Sequence, residues 1–152
     1  MEKKMSLMGV AGKIVITLVI SLAVTASVSF LFKPMFRITE NYHKLVIIAV
    51  LMAIVGFTLN LTAAFGMLSA YRKGQLATGG LYSIFLNPMY TFQILITVPG
   101  LLLFFNSWFI MITIIPVFIA FKVFVKEEDK YLEEKFGSQY KDYRKKVLFK
   151  YL

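Results

Sequence analysis

Glu127, Glu128 and Asp129 follow directly on a long apolar run. Earlier in the chain a second polar group, Thr78, Gly80, Tyr82, Asn87 and Tyr90, breaks another apolar stretch. Together they offer carboxylates, an amide, phenol hydroxyls and backbone groups freed by glycine. That inventory suits a bound cofactor with a positive centre and polar ends. Taken singly, each residue also has a plain structural use. Asn87 can cap a helix that Pro88 begins. The acids can open a surface helix, where its dipole favours them. The tyrosines can anchor a membrane interface. Convergence of both groups in an apolar setting would favour a pocket.

The elements that must position them are apolar. The chain has 152 residues, of which 59% are hydrophobic, and a mean hydropathy of +0.73. No charged residue lies between Lys44 and Arg72, or between Lys73 and Lys122. This pattern predicts one all-α integral membrane domain over residues 1–152, with about four spans near 14–32, 45–70, 90–105 and 108–125. The basic start followed by an apolar run also fits a signal peptide, but its length favours a retained first span. Asn60 in the second span is expected to bond between helices. Pro99 and Pro116 are expected to kink the third and fourth spans. Asn106-Ser107 leaves room only for a tight turn, so these two spans form a hairpin. Residues 78–90 hold Gly-Gly and Asn-Pro and cannot be another span. Irregular backbone at membrane depth must be buried or line a cavity.

Residues 126–152 form the tail. Leu132, Phe136, Tyr140, Tyr143 and Val147 recur at helical steps, interrupted by Gly137. One or two amphipathic helices, on the membrane or against the bundle, are expected. The basic arm at residues 1–13, Arg72-Lys73 and the basic tail fall on one side after alternate spans. The positive-inside rule makes that side cytoplasmic, with both termini. The 78–90 loop and the acidic cluster then share one face of a bacterial, archaeal or reticulum-type membrane.

Several chemistries are disfavoured. The net charge of +9 is carried at the ends of apolar runs, which reads as membrane anchoring rather than nucleic-acid binding. There is no cysteine, and His43 is the single histidine, so no metal site is expected. Gly79-Gly80 is not followed by the Gly-Lys-Ser/Thr of a P-loop. No span is expected to carry a buried charge of the kind ion-coupled transporters use.

The order Thr78-x-Gly80-x-Tyr82, Asn87-Pro88-Met89-Tyr90, Gly100, Ser107-Trp108 resembles the isoprenylcysteine carboxyl methyltransferase and phospholipid methyltransferase families. So does Glu128-Asp129 followed by Phe136-Gly137-x-x-Tyr140-x-x-Tyr143-x-x-x-Val147. The resemblance spans roughly residues 45–147. It implies a membrane methyltransferase that binds S-adenosylmethionine at the cytoplasmic face and takes a lipid or lipidated acceptor from the bilayer. By position it implies cofactor-binding roles for Thr78, Gly80, Tyr82, Asn87, Pro88, Tyr90, Glu128 and Asp129. Glu128 is the expected catalytic base if the acceptor is an amine; a carboxylate acceptor needs none. Leu86 stands where the families carry arginine, and Phe92 where they carry glycine. Asn87 replaces the common histidine, as in the phosphatidylethanolamine branch. Two alternatives accompany this reading: a degenerate member that binds lipid or a partner without catalysis, and an enzyme resembling the NADPH-dependent sterol reductases. The degenerate scaffold predicts no closed polar pocket beside Asn87 and Glu128.

Overall fold

The computed structural model describes residues 7–151. Among them the regular elements are helices: α1 is Leu7–Leu31, α2 Tyr42–Arg72, α3 Pro88–Leu103 and α4 Trp108–Phe136, and α5 Ser138–Lys146. A short 3₁₀ turn, Gly80–Ser83, lies between α2 and α3. Val10–Leu31, Tyr42–Arg72 and Trp108–Phe136 are each long and apolar enough to cross a membrane, and Pro88–Leu103 is a shorter apolar helix. The exposed sides of α1 and α2 are apolar, Ile16, Ile47, Phe57 and Phe65 among them. Helices apolar on every side belong in lipid. The chain is an integral membrane protein.

The spans are held together by small and polar contacts as well as by apolar clusters, Val10 and Ile14 of α1 packing with Ile94 of α3 and Val117, Phe121 and Val125 of α4. α1 and α4 run antiparallel, clasped at one end by Lys13 Nζ donating to both Glu127 oxygens at 2.8 Å. Deeper in the bundle the hydroxyls of Thr25 and Thr113 meet at 2.7 Å, and Ser29 Oγ donates to Ser107 Oγ at 2.7 Å. α2 and α3 approach so closely that a Cβ on Gly100 would sit 2.8 Å from Met52 Cβ, and one on Gly56 would strike Thr97. Asn60 Nδ2 donates to Gly56 O at 2.9 Å and to Thr97 Oγ1 at 3.0 Å, the interhelical use expected of it. In hydrocarbon such pairs replace the hydrophobic drive that water supplies elsewhere.

The prolines disturb the helices upstream of themselves. A proline lacks the N–H that would bond four residues back, and its ring crowds that carbonyl. Before Pro99 the helix widens into a π-turn over Gln93–Thr97, with Thr97 Oγ1 donating to Phe92 O at 3.3 Å. Before Pro116 helix α4 is interrupted at Ile112 and Thr113, where Ile115 N bonds Ile112 O at 3.0 Å in the tighter pattern.

Helix α4 does not stop where its apolar run stops. It carries Glu127, Glu128 and Asp129 onward as far as Phe136. Gly137, at φ +55°, then turns the chain so that α5 folds back toward the 80–87 loop. Tyr82, Leu86, Tyr140, Tyr143 and Val147 form one buried cluster with Ala63 of α2. Beyond α5 the chain runs alongside that loop. Phe149 N donates to Ile84 O at 2.9 Å, Leu86 N donates to Phe149 O at 2.8 Å, and the Phe85 and Phe149 rings stack.

Candidate active site

Where α2, the 73–87 loop, α3, α4 and α5 meet, they enclose a cavity of about 860 Å³. Met67 and Tyr71 of α2 form one wall. Tyr82, Leu86, Asn87 and Tyr90 form the floor, and Gln75, Leu76 and Ala77 of the loop edge it. Glu128, Tyr131, Leu132, Lys135 and Phe136 supply the face of α4, closed off by Tyr140 and Tyr143 of α5. Steps of three and four residues from Glu128 place all five α4 residues on one helical face.

The structure thus brings Tyr82, Asn87, Tyr90 and Glu128 around one space. It separates them from the other expected residues. Thr78 and Gly80 are exposed on the loop and do not line the cavity. Gly80 serves the backbone there, at φ +60°, a conformation that costs glycine nothing. Pro88 is fully buried as the first helical residue of α3, beneath the cavity rather than on its wall.

Asp129 faces away from the cavity. It is 5% exposed and accepts hydrogen bonds from Tyr140 Oη at 2.6 Å and from Tyr151 Oη at 2.8 Å. The Arg144 guanidinium stands 3.7 Å from Asp129 Oδ2 and also bonds the Tyr151 hydroxyl. Tyr143 Oη donates to Tyr82 O at 2.7 Å. Burial keeps the Tyr82, Tyr140 and Tyr143 hydroxyls protonated well above the usual phenol range, and Asp129 adds to the effect at Tyr140. These residues lock α5 against α4 and the loop.

Asn87 departs from the capping role that its place before Pro88 suggests. Its side chain bonds no backbone N–H of α3, although its carbonyl accepts the first helical bond, from Thr91 N at 3.0 Å. The side chain is 8% exposed, and its Nδ2 finds no acceptor among the described residues. A buried amide without a partner is costly unless a ligand or water completes it. Phe92, bulky where glycine was expected, packs its ring on Phe85 at 5.1 Å and stays out of the cavity, whereas Leu86 gives it an apolar floor. The cavity beside Asn87 and Glu128 opens outward and is lined mainly by apolar and aromatic side chains.

A family model described as phospholipid methyltransferase matches residues 43–139. The chain belongs to the phospholipid methyltransferase family. Among curated proteins and among solved structures nothing matches. The family match contains Tyr82, Asn87, Tyr90 and Glu128, and also Tyr71, Tyr131 and Lys135, which the sequence reading passed over. Their signal was available: Tyr131 and Lys135 stand three and seven positions beyond Glu128. In this phospholipid methyltransferase family member, the α5 residues that close the cavity from behind, Tyr140 and Tyr143, lie past the matched segment.

Proposed function

We propose that the protein transfers a methyl group from S-adenosylmethionine to the amine of a phospholipid headgroup, at the cytoplasmic face of its membrane. One observation carries the reading. Among the described residues Glu128 is the sole acid lining a cavity that also buries the Asn87 Nδ2, which has no partner among them. The residues fit the cofactor: a carboxylate for its cationic centre, an amide donor for an anionic or ring-nitrogen acceptor, and apolar and aromatic walls for its ring system. When bound, S-adenosylmethionine supplies an electrophilic methyl carbon.

The chain's own residues then have three tasks. Tyr82, Leu86 and Tyr90 fix the position of what is bound, and alignment accounts for much of the rate in an in-line displacement. The closing helices keep water away from the reacting atoms. Glu128 attracts the protonated amine, takes its proton and frees the nitrogen lone pair. A carboxylate acceptor would gain nothing from Glu128 and would be repelled by it, which favours the amine over an isoprenylcysteine-type substrate. Basic residues at the cavity end of the bundle, Arg72, Lys73 and the tail, support its cytoplasmic placement.

The test uses the purified protein in mixed micelles with labelled S-adenosylmethionine and either phosphatidylethanolamine or a prenylcysteine. Methylation of the amine lipid is expected, reduced about a hundredfold or more in Glu128→Gln. Esterification of the prenylcysteine alone, or absence of both transfer and cofactor binding in a folded protein, would overturn the reading.

A further inference from the structure

Among the described residues Lys135 is the one cation lining the cavity, as Glu128 is the one anion. Its Nζ stands over three rings, 5.7 Å from Tyr71, 5.9 Å from Tyr131 and 5.4 Å from Phe136. All three rings also line the cavity. Lys135 is itself exposed, which places it at the cavity's rim. Its neighbours Lys130 and Lys141 reach Glu134 and Glu133. Among the described residues Lys135 pairs with no carboxylate.

We propose that Lys135 is the specificity contact for the phosphate of the acceptor lipid. This rests on the amine-lipid reading above and names the group that such a lipid must also carry. Cation–π attraction is weak where water reaches the site, whereas a phosphate offers charge-assisted bonds. The rings therefore hold the ammonium over the rim without satisfying it, ready for a stronger partner.

The order of charges selects that partner. Glu128 and Lys135 project from one face of α4, two turns and about 10 Å apart along its axis. The acid lies inward, beside Asn87, and the cation outward. A phosphoethanolamine headgroup has the complementary order: a cationic amine at its tip and an anionic phosphate a short linker behind. With the amine at Glu128, the phosphate trails toward the rim, within reach of a flexible lysine. An amphiphilic amine without phosphate meets Glu128 alone.

The experiment measures binding, not turnover. The full chain in detergent is titrated calorimetrically with a short-chain phosphatidylethanolamine, with an alkylamine of matched chain length, and with S-adenosylmethionine. Lys135→Met keeps a long apolar side chain among the rings without the charge; Lys135→Arg keeps the charge. Unchanged melting temperatures establish that both variants fold. Lys135→Met should weaken phospholipid binding about tenfold, Lys135→Arg should restore most of it, and alkylamine and cofactor affinities should not move. Equal losses for amine and phospholipid would make the lysine a structural residue and overturn the proposal. So would a fall in cofactor affinity alone, which would assign the lysine to the cofactor's carboxylate. Phospholipid binding that depends on Lys135 in a protein that transfers no methyl would sink the methyltransferase reading and leave this one standing. Transfer to phospholipid with its affinity unmoved by Lys135→Met would do the reverse.

Discussion

Adjacent acids in α4 should fail in opposite ways. Asp129 accepts from two tyrosine hydroxyls at 2.6 and 2.8 Å and faces Arg144 at 3.7 Å, almost wholly buried. In Asp129→Asn one carboxylate oxygen becomes an NH₂, which cannot accept. One hydroxyl must then turn its proton away from a buried acceptor, and Arg144 loses its counter-charge. A hydrogen bond to a charged group contributes about 1.5–3 kcal/mol, and breaking a buried ion pair costs about 3–5 kcal/mol. Because Arg144 is partly exposed, the loss should fall at about 2–4 kcal/mol. Tyr140→Phe deletes one of the same bonds from the other side, so the two changes should couple by about 1–3 kcal/mol in a double-mutant cycle. Glu128→Gln, half-buried at the cavity, should change stability by less than about 1 kcal/mol and lower cofactor affinity instead. The assay is unfolding of the detergent-solubilised protein by sodium dodecyl sulfate, followed by circular dichroism, beside calorimetric titration with S-adenosylmethionine. If Asp129→Asn left the unfolding curve in place and abolished cofactor binding, Asp129 would be a ligand and the reasoning from its hydrogen bonds would be wrong.

Asn87→Leu removes a buried donor that has no partner among the described residues, so stability should hold or rise by about 1 kcal/mol, while S-adenosylmethionine titration should show affinity falling about tenfold. Gly56→Ala pushes a methyl into Thr97, whose backbone N would lie 2.9 Å away; the unfolding midpoint should drop by the equivalent of about 1–3 kcal/mol, with Ala→Gly reversal restoring it. Burial raises the folded-state pKa of Tyr82, Tyr140 and Tyr143 above the ordinary phenol value. Above about pH 10 the unfolded chain therefore releases protons that the fold retains, and stability declines by up to about 1.4 kcal/mol per pH unit for each tyrosine. Unfolding curves measured from pH 8 to 11 should show this decline, and Tyr140→Phe should make it shallower.

The apolar runs made the membrane fold legible, because only helices satisfy their own backbone in lipid. The family followed from motif order in the 78–90 loop and the tail. The hidden part was direction. Glu128 and Asp129 are neighbours in sequence, yet a helix turns successive residues about 100° apart, and one meets the cavity while the other meets Tyr140. Asn87 before Pro88 reads as a cap, but capping depends on side-chain geometry that residue order does not give, and the Asn87 side chain caps nothing in α3. The stripe from Leu132 to Val147 was visible as amphipathic. That its apolar face closes a cavity, and does not lie on the bilayer, depends on the sharp turn at Gly137. Tyr71 and Lys135 lie far apart in sequence and meet only after α2 and α4 have packed.

The pairing of Phe149 with Ile84 and Leu86 also sets a timetable for synthesis. All the apolar helices can enter the bilayer before the residues beyond Phe136 have docked. At that moment the 80–87 loop has no partner strand, Tyr82 has no Tyr143, and the cavity has no back wall. A nascent chain is therefore a membrane protein well before it is a binding protein. Ribosomes that stall after the last span would leave inserted helices that titrate no cofactor and consume no lipid.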